Sequence, residues 1–170
     1  RRRSIERCVS WVEERLNGED GLGAIYPAMA NSVMMFAALG YSPDHPARAI
    51  ARKSIENLLV VKEDEAYCQP CVSPIWDTAL AAHAMIEVGS DEALGCAAQA
   101  LDWLQPRQVL DVAGDWTDLR PDVRPRGWAF QNNKPHYPDL DDTAVVAMAM
   151  DRFRDRSAGA FDNAVDRARE

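Results

Sequence analysis

Apolar residues along this chain recur with the period of an α-helix. In 4–16 they fall at every third or fourth residue, which places them on one side of a helix. The segments 28–39 and 74–88 are apolar almost all round, a pattern typical of helices that are buried on every side. Strand signals are confined to short pieces near 66–72. The sequence therefore predicts an all-α fold.

A buried helix, a polar or glycine-containing turn and an amphipathic helix follow one another in repeated copies. The copies pair 28–39 with 46–60, 74–88 with 92–104, and 140–153 with a last helix that ends at residue 170. Stacked α/α hairpins of this kind place the buried helices in an inner ring and the amphipathic helices in an outer ring. We therefore predict part of a double-ring (α/α) helical barrel, with residues 1–170 forming a single partial domain.

Composition narrows the classes of function without choosing among them. The chain has 170 residues, of which 47% are hydrophobic, enough to bury one sizeable core. Its formal net charge of −8 argues against a nucleic-acid partner, because phosphate binding needs clustered Lys and Arg. No apolar run approaches the roughly 18 residues of a spanning helix, and no signal peptide opens the chain, so we expect an intracellular protein.

Cysteine spacing does not predict a metal site. Cys68 and Cys71 form a C-x-x-C pair, but structural zinc needs a second ligand pair at matching spacing, and the three histidines lie in unrelated contexts. We expect free thiols, as in a reducing compartment, and no bound metal.

Three carboxylates crowd the first turn of the helix predicted at 140–153. They belong to Asp139, Asp141 and Asp142. Because each negative charge disfavours the next, one of them is expected to stay protonated and to serve as a strong acid. The ordinary alternative is that these residues cap the helix and complement its dipole. The spacing alone leaves both interpretations open.

Four blocks of sequence resemble those of a known enzyme family. The D-x-D-D-T-A sequence at 139–144 resembles the acid signature of class II terpene cyclases. The blocks G-W-A-F-Q at 127–131, D-G-L-G-A-I-Y-P at 20–27 and V-S-P-I-W-D-T at 72–78 resemble segments of the squalene–hopene cyclases. The chain is thus similar to an internal piece of such an enzyme, with the terpenoid cyclase toroid as its fold.

The resemblance implies a catalytic role for the three aspartates. Asp141 would protonate squalene, with Asp139 and Asp142 as its electrostatic and hydrogen-bonding support. A carbocation cascade would then give hopene or hopanol. In that family a histidine from a later segment assists the acid, and no residue after Asp142 in this chain can fill that role.

The resemblance also implies a lining for the substrate cavity. Phe130 and Trp76 match aromatic positions that face the substrate cations, since aromatic faces stabilise a cation without quenching it. Tyr26 and Pro27 fall where the family orders water at the far end of the cavity. Asp77 matches the acid of the W-D-T block, although at a helix start it is also a candidate cap.

Partners and setting follow from the same resemblance. The binding partner would be squalene, a C30 polyene, and the reaction would need no cofactor. The complete enzyme would be a peripheral, monotopic membrane protein on the cytoplasmic side, with a homodimer as one oligomeric state to consider. We expect the isolated chain to be inactive, because about three hairpins cannot enclose a cavity.

Other functions stay open at this point. A class II diterpene cyclase shares D-x-D-D but acts on a diphosphate, and the sequence shows no Lys/Arg cluster placed to hold one near the motif. An inverting glycosidase needs carboxylates roughly 6.5–9.5 Å apart, further than three on one turn allow. In a non-catalytic helical-repeat scaffold the aspartates would be caps, and a solvent-exposed Asp141 with no apolar cavity beside it would favour that alternative.

Overall fold

Helices dominate the computed structural model, which describes residues 1–16, 18–131 and 135–170. The chain divides into two compact units, Arg1–Val72 and Ser73–Glu170. Within the units, helices pack as the predicted hairpins, so an all-α fold built from α/α hairpins is confirmed. A single domain spanning residues 1–170 stays a prediction.

The first unit combines helices with one short hairpin. Its elements are α1 (Arg2–Glu14), α2 (Tyr26–Ala38), α3 (Pro46–Glu56), β1 (Leu59–Val61) and β2 (Ala66–Cys68), with 3-10 turns at Gly18–Asp20 and Leu22–Ala24. The strands pair antiparallel, with Leu59 opposite Cys68. Here the predicted helix 46–60 is too long, because the β-branched residues Val60 and Val61 favour an extended backbone and find a partner strand.

The core of the first unit lies between its three named helices. Val9, Val12 and Leu16 pack with Phe36 and Ala51. Only one side of α2 is buried within the described residues, whereas the sequence predicted burial all round. On the opposite side of α2, Met34 is 59% exposed.

The second unit holds the remaining helices. Its elements are α4 (Pro74–Val88), α5 (Asp91–Leu104), β3 (Trp128–Ala129), β4 (Pro138–Asp139), α6 (Leu140–Arg152), α7 (Arg154–Ser157) and α8 (Asp162–Arg169), with 3-10 turns at Gln105–Arg107 and Asp115–Asp118. Helix α4 packs on α5 and α6, and α6 packs on α8. The short strands lie between α5 and α6, and α7 lies between α6 and α8.

One apolar cluster joins the helices of the second unit. It includes Ile75 of α4, Leu101 of α5, Val146 of α6 and Phe161 beside α8, together with Trp128, which is completely buried. Among the described residues, no helix combines the length and the apolar character needed to span a bilayer.

Candidate active site at the start of helix α6

Asp139 is the N-cap of α6. Its backbone is extended, at φ −122° and ψ 169°, and its side chain accepts a hydrogen bond from the backbone N–H of Asp142. The Asp139 Oδ1 to Asp142 N distance is 2.8 Å. An N-cap of this kind satisfies one of the free N–H groups of the first turn. Capping is therefore observed for Asp139, while its support of an acid stays a prediction.

The three carboxylates differ in their burial. Asp142 is only 2% exposed, whereas Asp139 and Asp141 are exposed. Leu140 between them is 86% exposed. The first turn of α6 therefore directs Asp142 into the unit and presents Asp141 at its surface. Within these residues alone, that exposure is what the scaffold alternative expects.

A two-residue ladder connects the G-W-A-F-Q block to the acid block. Strand β3 pairs antiparallel with β4, placing Trp128 opposite Asp139 and Ala129 opposite Pro138. The backbone N–H of Trp128 donates to Thr143 Oγ1 at 3.0 Å. The Trp128 indole N–H donates to the Leu104 carbonyl at 2.8 Å. These contacts fix both sides of the turn that begins α6, and they bring together two of the four blocks found in the sequence.

Gly127 is required by the close approach of this ladder to α6. A Cβ at this position would lie 2.2 Å from Thr143 Oγ1, the atom that accepts the Trp128 N–H. Real Cβ atoms do not approach another heavy atom so closely. The glycine of the G-W-A-F-Q block therefore makes room for the threonine of D-x-D-D-T-A.

Gln108 holds the segment before β3 from the other side. Its buried amide donates from Nε2 to the Arg126 carbonyl at 2.8 Å and to the Ala164 carbonyl of α8 at 2.9 Å. Its Oε1 accepts from Arg167 Nε at 2.9 Å. These side-chain bonds of Gln108 thus connect α8 to the segment that leads into β3.

The predicted cavity residues occupy separate places. Phe130 follows β3 and Trp76 lies in the first turn of α4, both half-buried. Asp77 is exposed and accepts a hydrogen bond from Ser73 Oγ at 2.9 Å, so it ties down the helix start. Tyr26 and Pro27 are exposed at the start of α2 in the first unit. Their cavity-lining roles stay predictions.

Two family models match the chain in order. The model of the squalene–hopene cyclase N-terminal domain matches residues 1–64, and that of the C-terminal domain matches residues 72–170. This chain belongs to the squalene–hopene cyclase family. The stretch between the two matches contains β2 and ends close to the point where the two units meet in sequence.

Similar cyclases are known from several bacteria. The squalene–hopene cyclase of Bradyrhizobium diazoefficiens is 59% identical over 171 residues, covering 100% of this chain and 26% of that protein. That of Zymomonas mobilis is 64% identical over 158 residues, 89% of this chain and 24% of that protein. The enzyme of Alicyclobacillus acidocaldarius is 35% identical over 155 residues, 90% and 24% respectively. The chain spans about a quarter of the length of these relatives.

In this cyclase segment, a groove of about 890 Å³ runs beside the acid turn. Asp139 and Leu140 line it together with arginines 120, 124 and 126. Arg120 pairs with Asp122 at 3.1 Å and thereby lowers the pKa of that carboxyl. Arg126 pairs with Glu170. The sequence showed no such cluster near the motif because the arginines precede Asp139 by thirteen or more positions and approach it only through the fold.

Proposed function

We propose that this chain is the acid-bearing segment of a triterpene cyclase that protonates squalene and cyclises it to hopene or hopanol. The observation that carries the proposal is the family match over 1–64 and 72–170, with D-x-D-D-T-A at 139–144 inside the matched region. The relatives from Bradyrhizobium and Zymomonas are named squalene–hopene cyclases, which supports this proposal.

Asp141 is the proton donor in this mechanism. The alkene electron pair at one end of squalene forms a C–H bond with the Asp141 proton, leaving a carbocation on the adjacent carbon and a carboxylate on Asp141. Because Asp141 lies in the first turn of α6, the positive end of the helix dipole stabilises that carboxylate. Asp139 cannot swing freely, since it accepts the Asp142 N–H, and it therefore holds the turn in one shape.

Each later ring closure transfers the positive charge along the chain of the polyene. Aromatic faces stabilise such charges by on the order of 0.5–2 kcal/mol each, more when water is excluded. We assign this task to Phe130 and Trp76. Loss of a proton from the last cation gives hopene, and capture of water gives hopanol. Tyr26 and Pro27 are assigned to the control of that water, and Asp77 to the start of the helix that carries Trp76.

Enclosure of Asp141 is assigned to the remainder of a complete cyclase. Protonation of an alkene requires that water be kept from both the acid and the cation. Asp141 is exposed here, in a chain that spans about a quarter of the relatives' length. The same reasoning makes the isolated chain inactive.

Since a C30 hydrocarbon partitions into a bilayer rather than water, we propose that the complete protein takes squalene from the cytoplasmic face of a membrane as a peripheral protein. A homodimer stays a prediction.

The test uses a cyclase chimera in which these 170 residues replace the matching stretch of the Bradyrhizobium diazoefficiens enzyme. Asp141→Asn keeps the shape of the side chain and removes the transferable proton, so hopene formation should fall below about 1% of the parent chimera while the thermal midpoint is retained. Asp102→Asn, at an exposed position of α5, is the matched control and should leave turnover unchanged. An Asp141→Asn chimera that keeps its activity would refute the proposal and favour the scaffold alternative.

A class II diterpene cyclase is the second candidate, and one observation favours it. Three arginines line the groove beside Asp139 and could donate hydrogen bonds to a diphosphate, although two of them already pair with acids. Offering the chimera a C20 polyene diphosphate alongside squalene distinguishes the diterpene cyclase from the triterpene cyclase. Turnover of squalene alone supports the triterpene assignment, and turnover of the diphosphate alone overturns it.

A further inference from the structure

A polar contact joins the helix of Trp76 to the helix of the acid motif. His83 of α4 is half-buried, and its Nε2 lies 2.9 Å from the carbonyl oxygen of Val145 in α6. Its Nδ1 lies 3.1 Å from Nη1 of Arg152, also in α6. Arg152 in turn donates from Nη2 to Glu87 Oε2 of α4 at 2.7 Å. We call these three side chains, His83, Arg152 and Glu87, the inter-helix clamp.

The partners of His83 fix its tautomer. A guanidinium can only donate, so Nδ1 of His83 accepts from Arg152. A carbonyl oxygen can only accept, so Nε2 carries the hydrogen and donates to Val145. Glu87 holds Arg152 in the position that selects this tautomer. In this bonding arrangement the imidazole donates from Nε2 into the backbone of α6.

The contacts of the clamp also indicate the relative direction of the two helices. Going forward along α4 from His83 to Glu87, the contacts go forward along α6 from Val145 to Arg152, so the helices run parallel. Asp141 precedes Val145 by four residues and lies one turn before it on the same face of α6. The anchored carbonyl is thus about 6 Å along the axis from the acid residue.

The buried residues of α4 and α6 in their shared core include both small and large apolar side chains. Ala79 and Ala82 of α4 and Ala149 of α6 are completely buried in the shared core. Ile75, Ile86, Val146 and Met150 of the same two helices are buried beside them. A polar contact at the edge of an apolar interface can add to the selection of one register.

We propose that His83 is a positioning residue for Asp141, held in its donor tautomer by Arg152 and Glu87. The proposal rests on the proposed function. A side chain at about 5 Å from a helix axis moves by about 1 Å when the helix rotates by about 10°. A misplacement of that size can lower a rate by about 100-fold. Loss of the Val145 contact should therefore lower kcat, without changing how squalene is bound.

The test compares two amides in the cyclase chimera. In His83→Gln the amide nitrogen reaches about as far as Nε2 and can still donate to Val145, whereas the side chain in His83→Asn is one carbon too short. We expect His83→Asn to lower kcat at least tenfold with KM within twofold of the parent. His83→Gln should keep kcat within about threefold. Equal kcat values for the two variants would overturn the proposal.

A second pair of variants keeps the test decisive if His83→Asn does not fold. Arg152→Gln removes the group that selects the tautomer, and Arg52→Gln removes an arginine from an exposed pair with Glu56. We expect kcat to fall severalfold in the first and to stay unchanged in the second, with KM constant in both. An unchanged kcat in Arg152→Gln would refute the clamp. If Asp141→Asn abolishes turnover while the clamp variants do not lower kcat, only the positioning role fails; an active Asp141→Asn refutes the proposed function instead.

Discussion

Substitution of Gly127 by alanine should destabilise the second unit through one defined clash. The new methyl group would lie 2.2 Å from Thr143 Oγ1, more than 1 Å inside ordinary van der Waals contact, while its next neighbours are at 3.4 Å. The threonine hydroxyl must therefore leave, and with it goes the 3.0 Å bond from the Trp128 N–H. A buried N–H left without a partner costs about 1–3 kcal/mol, so we expect a loss of about 2–3 kcal/mol with residual strain included.

A double-mutant cycle isolates this clash from other effects of the substitution. Thr143→Ala alone also loses the Trp128 bond and should cost about 1–2 kcal/mol. Once the hydroxyl is gone, the added methyl at Gly127 meets only contacts of 3.4 Å. The double variant should therefore be about as stable as Thr143→Ala alone, which corresponds to a coupling energy of about 2–3 kcal/mol, equal to the cost of Gly127→Ala alone.

The measurement is urea unfolding of the cyclase chimera, with the midpoint compared at constant slope. Gly95→Ala is the matched control, because Gly95 lies inside α5 and a Cβ there would meet nothing within 4 Å. Alanine at that position should stabilise by about 0.5–1 kcal/mol. The steric argument is refuted if Gly127→Ala is as stable as the parent, or if the two substitutions at Gly127 and Thr143 add independently.

Three further outcomes test the assignment of the site. Asp139→Asn should keep the N-cap and the stability yet lower turnover, whereas Asp139→Ala should also cost about 1 kcal/mol in urea unfolding; equal turnover in Asp139→Asn and parent would limit this residue to capping. Phe130→Ala should release partly cyclised products, detected by gas chromatography, and Trp76→Ala should do so more mildly; one unchanged product from both would make them packing residues. The isolated chain should bind hydrophobic dyes, because Leu140 and Val88 are 86% and 69% exposed. It should convert no squalene, because it does not enclose Asp141; hopene formation by it would contradict the mechanism.

Helix positions could be predicted from the sequence because their signals are local. The prediction for 74–88 coincides with α4, since Pro74 can begin a helix and Gly89, at φ +72°, can end one in the left-handed conformation. The prediction for 140–153 ends one residue beyond α6. Apolar periodicity also gave the right hairpin partners, because neighbouring helices joined by a short turn pack on each other.

Contacts between distant residues could not be predicted in the same way. Nothing local to Gly127 indicates that a threonine hydroxyl sixteen residues later fills the place of its missing side chain. His83 lies 62 residues before Val145 and 69 before Arg152, and its own neighbourhood in the sequence is an ordinary alanine-rich helix. The candidate acid site was identified by the resemblance of its residues to a family, and the structure adds the ladder and the clamp that position it.

The exposure of Asp141 helps to distinguish a scaffold from a cyclase only when the exposed residues near it are considered as well. Leu140 beside it is 86% exposed and Met148, two turns further along α6, is 61% exposed. A scaffold whose aspartates serve only as caps gains nothing from an apolar stripe on the same outward side of the helix. An acid that must protonate an alkene needs apolar surroundings. The exposed Leu140 next to Asp141 is therefore what the proposed cyclase function expects of this turn.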